Sequence, residues 1–134
     1  MTEIPQAGDA PLIRTDFSDG AAWERLVAAT QKPSPDDFLP CLQIIDDARF
    51  DGASANQIGI NARGTNHAVV FIADEVTMGK EDLCVLCLNV STPEQRFRVI
   101  PSELWAVENN LTLGNMDFEE FADAAGADGV FRGF

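Results

Sequence analysis

Apolar positions along the chain follow two rhythms, and the switch between them marks the elements. Leu12-Ile13-Arg14-Thr15-Asp16-Phe17 is a short β-prone run. After it, Trp23, Leu26, Val27 and Thr30 recur at i, i+3, i+4 and i+7, the stripe of a helix lying on a sheet, with Ser18 or Asp19 as its N-cap. Pro33, Pro35 and Pro40 forbid continuation of that helix and bound a connection. Cys41 to Ile45 predicts a second strand, ending at Asp46-Asp47. The pattern weakens from 52 to 66, where Ser54 is placed to cap a short helix through Ile58 and Ile60. Ala68 to Ala73 is continuously apolar, as expected of a central strand buried on both faces, and it too ends in acid, at Asp74-Glu75.

Leu83 to Val90 and Gln95 to Ile100 predict two further strands. The Ser91-Thr92-Pro93-Glu94 link has hairpin length, so this pair is expected to be antiparallel. Arg96 and Arg98 alternate with Phe97 and Val99, which places both arginines on one face and suits an edge strand defended by charge. The last third is helical: Ser102 opens a helix carrying Leu104, Val107 and Leu111, which Gly114 ends. Asp117 and Glu120 form a capping-box pattern before Phe118, Phe121, Ala122 and Ala125. The sum is an α/β domain: a five-stranded mixed sheet, three parallel strands plus a hairpin edge, with helices packed on its faces. Residues 1–10 are expected as a flexible tail and 11–134 as a single domain.

Charge adds a constraint. Nine Lys and Arg against 22 Asp and Glu give a formal net charge of −13. Such a field disfavours nucleic acid and anionic membranes, and favours basic protein partners or cations. It also serves solubility alone. No apolar run approaches the ~20 residues that cross a bilayer, and Met1 to Ala10 lacks the layout of a signal peptide, so a cytoplasmic location is the expectation. Three cysteines, an odd number, fit a reducing compartment.

Two stretches carry a likeness. The opening PLIRTDFSDGAAW and the closing PSELWAVENNLTLGNMDFEEFADAAGADGVFRGF resemble the two ends of a family of small, mainly bacterial proteins known only as a domain of unknown function. The closing signature, VENNLTLGNMDFEEFAD to DGVFRGF, is the longer and more specific. The stretch from Asp51 to His67 departs from that pattern, which has a longer apolar helix there. The resemblance implies a shared fold and lends no activity.

Candidate chemistry gathers in two places. If the first three strands are parallel, their carboxyl ends share one sheet edge, where open α/β folds bind ligands. Asp16, Asp46, Asp47, Asp74 and Glu75 all stand at such ends. Clustered carboxylates raise one another's pKa or recruit a hard cation such as Mg²⁺ or Ca²⁺. Capping of strand-to-helix turns explains each of them singly. Glu108, Asn109, Asn110, Asn115 and Asp117 form a second, amide-rich group: either a polar recognition surface or a helix end and turn held by its own side chains.

Other motifs dissolve on inspection. Cys84 and Cys87 have C-x-x-C spacing but sit on a predicted strand, with no second pair to complete a zinc site. His67 is the only histidine, and no nucleophile elbow or phosphate loop is present. Trp105, Phe118, Phe121, Phe131 and Phe134 read as core, or in part as a partner-binding patch anchored by Arg132. The favoured reading is a small acidic interaction module of accessory, inhibitor or immunity type that binds another protein, basic or otherwise, and needs no cofactor. The alternative is a small metal- or carboxylate-dependent enzyme or ligand-binding domain in which Asp16, Asp46 and Asp74 converge. Self-association through the Arg96–Arg98 strand is the third expectation.

Overall fold

A computed structural model describes residues 3–134. Its strands are β1 (Ala10–Arg14), β2 (Leu42–Ile45), β3 (Val69–Ala73), β4 (Val85–Asn89), β5 (Arg96–Val99) and β6 (Val130–Phe131). Its α-helices are α1 (Gly20–Thr30), α2 (Ala55–Ala62), α3 (Glu75–Gly79), α4 (Leu104–Thr112) and α5 (Phe118–Ala124). One sheet orders the strands β2-β1-β3-β4-β5-β6. β1 pairs in parallel with both β2 and β3, as the strand patterns predict. β4 and β5 are antiparallel neighbours, also as predicted.

The expected five strands are six. Val130 pairs with Arg98 and Phe131 with Val99, in parallel, so β6 covers part of the presumed edge strand. A two-residue strand has no period to read, which is why the pattern along 128–134 did not announce it. The edges of the sheet are therefore β2 and the short β6.

Each face of the sheet carries its own core. On one side Leu12, Phe71, Val85, Phe97 and Val99 meet Trp23 and Leu26 of α1, Leu104 and Val107 of α4, and Phe118 and Phe121 of α5. On the other, Ile13, Val70, Ile72 and Leu88 meet Phe50 and, from α2, Ile58 and Ala62. β3 feeds both and is buried at every position, as a continuous apolar run requires. Burying one such side chain contributes roughly 1.5–3 kcal/mol. Phe97, Phe118, Phe121 and Phe131 pack edge to face or offset, with Phe121 and Phe131 centroids 5.2 Å apart. Phe134 touches this cluster yet stays 82% exposed.

Part of the segment expected as a loose tail is tied down. Ile4 is buried in the second core, the Asn66 N–H donates to the Gln6 carbonyl, and His67 Nε2 lies 2.7 Å from the Pro5 carbonyl. Met1 and Thr2 lie outside the described residues. α2 packs so close to the β4–β5 hairpin that a Cβ at Gly59 would come within 2.9 Å of the Pro93 Cβ.

Candidate functional site

β1 and β3 run side by side and end together, so the residues that follow them face one another. Thr15 and Asp16 after β1, Asp74 and Glu75 after β3, and residues 51–55, the loop before α2 with the helix's first residue, line a cleft of about 430 Å³. Phe50, buried in the second core, anchors the loop, and the Gly52 N–H donates to the Thr15 carbonyl over 2.8 Å. Gly52 has φ +75, a conformation that L side chains rarely adopt and that glycine takes freely. Ser54 and Gln57 close a capping box that starts α2 beside it.

The four acids differ in how they are held. Asp74 is the N-cap of α3, accepting from the Thr77 N–H, and its two oxygens receive both Arg98 amino groups at 2.9 and 2.7 Å. Burial opposes its charge, but the Arg98 guanidinium and the Thr77 donors outweigh it and hold the carboxyl below the usual range. Asp16 accepts the Ser18 N–H at 2.9 Å. Among the described residues no cation lies within ion-pairing distance of Asp16, Asp51 or Glu75. A cleft with one neutralised acid and three unneutralised ones attracts cationic groups.

Two of the predicted strand-end acids fall outside this cleft. Asp46 pairs with Arg14 at 3.2 Å, and Arg14 in turn lies over the rings of Phe17 and Trp23. Asp47 caps the turn of Ala48–Phe50 and pairs with Arg49 at 2.7 Å. Hydrogen bonds from Arg49 hold its carboxyl below the usual range. Asp46 follows the outermost strand, β2, on the far side of β1 from β3. The expected meeting of Asp16, Asp46 and Asp74 does not occur. Among the described residues no three His, Cys, Asp or Glu side chains form a group able to hold a metal ion. Pattern reading missed Asp51, although Asp51-Gly52 is a turn dipeptide.

The amide-rich group is not one surface. Glu108 is 3% exposed and its carboxylate accepts the Cys41 N–H. Asn109 Nδ2 donates to the Leu39 and Trp105 carbonyls, and Trp105 stacks on Phe38 at 4.8 Å. Trp105, Glu108 and Asn109, at i, i+3 and i+4 on α4, thus clamp the segment leading into β2. Asn110 Nδ2 donates to the Ala106 carbonyl, and the Asn115 N–H to that of Asn110. Asp117 caps α5 through a capping box with Glu120. Glu108 as a recognition residue is therefore corrected: burial makes it a tether.

Cys84 and Cys87 are buried and free. Burial pushes the Cys87 thiol well up, and burial with Asp82 raises Cys84, so neither is poised as a nucleophile. A carbonyl only accepts, so the His67 nitrogen facing Pro5 carries a proton and is engaged. None of the described helices is long and apolar enough to cross a membrane.

Fold and site define an open α/β domain with an acidic cleft at a strand-end edge. The chain belongs to a family defined as a domain of unknown function, DUF6924, whose model matches residues 9–134. Membership of a domain-of-unknown-function family, the expectation drawn from the two chain ends, is thereby shown. No curated protein matches the chain.

Proposed function

We propose that the protein is a non-enzymatic interaction module that receives a basic side chain of a partner protein, arginine or lysine, in the cleft between β1 and β3. The observation that carries this is the set of Asp16, Asp51 and Glu75 around one concavity, without an ion-pairing cation among the described residues. Four of the nine basic residues, Arg14, Arg49, Arg98 and Arg132, are spent on acids elsewhere or on Asp74. A guanidinium entering the cleft would gain charge-assisted bonds from carboxylates that have no ion pair among the described residues. The position at strand carboxyl ends also suits a small ligand-binding domain, but the absence of a metal-holding group among the described residues weakens the metal-dependent form of that reading.

The test is titration calorimetry with arginine- and lysine-containing hexapeptides against two variants of equal charge. Asp16→Asn/Asp51→Asn/Glu75→Gln removes three cleft acids and takes the formal charge from −13 to −10. Glu3→Gln/Glu24→Gln/Asp36→Asn makes the same change at exposed positions away from the cleft. The cleft variant is expected to lose about 2 kcal/mol or more, roughly thirtyfold in affinity, and to flatten the salt dependence. Equal weakening by both variants would reduce the effect to overall charge and end the proposal.

A further inference from the structure

The two edges of the sheet are unequally protected. β6 is two residues long and is followed by Arg132 and Gly133, a blunted edge. β2 reads Leu42-Gln43-Ile44-Ile45, without a charge or a proline, and Ile44 is 38% exposed. Its inward bonds are set by register. Ala10 pairs with Leu42, and the Ala10 N–H donates to the Cys41 carbonyl. In a parallel ladder that parity turns Cys41, Gln43 and Ile45 toward β1 and aims the N–H and C=O of Leu42 and Ile44 outward. No backbone bond from another described residue meets those four groups.

We propose that β2 is a self-association edge and that its occupant is a second copy of this chain, paired antiparallel about a twofold axis through Gln43. That axis sets Leu42 of one copy against Ile44 of the other, and Ile44 against Leu42. Both pairs join outward-facing residues, so each exchanges two N–H···O bonds. Leu42 already packs against the main core, and Leu42 and Ile44 share a face, so the pairing extends an apolar surface over the joint. Charge permits it. At −13 two copies repel, but the acids that follow the strand are neutralised within each copy, Asp46 by Arg14 and Asp47 by Arg49. The same axis places Asp46 opposite Pro40 and Asp47 opposite Leu39, so no carboxylate faces its own copy. Self-association through the Arg96–Arg98 strand gives way to this edge, because β6 occupies that strand's far side at Arg98 and Val99.

Sedimentation equilibrium, together with amide hydrogen exchange, tests it. The wild-type chain is expected to pass from monomer to dimer below about 1 mM, more readily as salt screens the net charge. Exchange at the Leu42 and Ile44 amides should slow with concentration while the Gln43 amide, already bonded to β1, stays protected throughout. Ile44→Pro removes an outward N–H that the monomer does not use, and Ile44→Lys places a charge on the edge. Each is expected to weaken dimerisation at least tenfold. Ile44→Val should retain it. A chain that stays monomeric to about 1 mM, with both amides exchanging freely, overturns the proposal and leaves the edge to a strand of another protein. A dimer whose mass is unchanged by Ile44→Lys overturns it as well. Peptide binding in the cleft is scored on other residues, so either idea fails without the other.

Discussion

Replacing Asp74 with asparagine separates its two jobs. Asparagine caps a helix nearly as well as aspartate, so the bond from the Thr77 N–H survives. What is lost is the charge facing Arg98, which bonds both carboxylate oxygens at 2.9 and 2.7 Å. A bond to a charged group is worth about 1.5–3 kcal/mol. The two side chains are 18% and 24% exposed, so water screens the pair only in part. Arg98 keeps a 3.3 Å contact with the Cys84 carbonyl. A loss of about 2 kcal/mol follows, or about 6–10 °C in Tm for a chain of this length. The sign with pH is definite. Asp74 is held below the ordinary carboxyl value, so its contribution is complete above the unfolded pKa of about 3.9 and disappears as pH falls through the lower folded value. Urea unfolding of wild type and Asp74→Asn at neutral pH, then stepwise into acid, should show a gap that narrows below about pH 4. A gap under about 0.5 kcal/mol at pH 7, or one that persists unchanged into acid, would refute the reasoning.

Glu108→Ala leaves the Cys41 N–H without its acceptor and should cost about 2–3 kcal/mol, whereas Glu108→Gln keeps an acceptor and should cost under about 1. Burial, then the Glu108 carboxylate, raise the Cys41 thiol. Both variants should therefore label faster with a thiol reagent near pH 8, and an unchanged rate in Glu108→Gln would count against the tether. Gly59→Ala should lower Tm, because the gain of up to about 1 kcal/mol in helix propensity is outweighed by a 2.9 Å approach to the Pro93 ring. Gly79→Ala, where nothing lies within 4 Å, should leave Tm level or raise it.

Periodic elements were legible in the sequence and long-range side-chain pairings were not. β3 announces itself as an uninterrupted apolar run, α1 as a stripe from Trp23 to Thr30, and α5 by its capping box, because each signal lies within a dozen neighbouring residues. The parallel start of the sheet follows from the same reading. β6 escaped because two residues carry no rhythm. Among the strand-end acids, Asp16, Asp74 and Glu75 meet while Asp46 and Asp47 do not. The difference lies in position, since Asp16, Asp74 and Glu75 follow the neighbouring strands β1 and β3, whereas Asp46 and Asp47 follow the outermost strand and pair with Arg14 and Arg49. Arg49 sits two residues from Asp47, and Arg14 reaches Asp46 across thirty-two. The first distance can be read in sequence, and the second depends on β1 and β2 being neighbours. Glu108 misled for a similar reason: a charged residue in a helix reads as solvated until its backbone partner arrives from a distant segment.

The clamp of Trp105, Glu108 and Asn109 on the segment before β2 orders events in time. Cys41 leaves the ribosome 67 residues ahead of the carboxylate that receives its N–H. At about 5–20 residues per second, that is an interval of roughly 3–13 s. During synthesis the approach to the outermost strand therefore has no fastening from α4 until that helix has emerged.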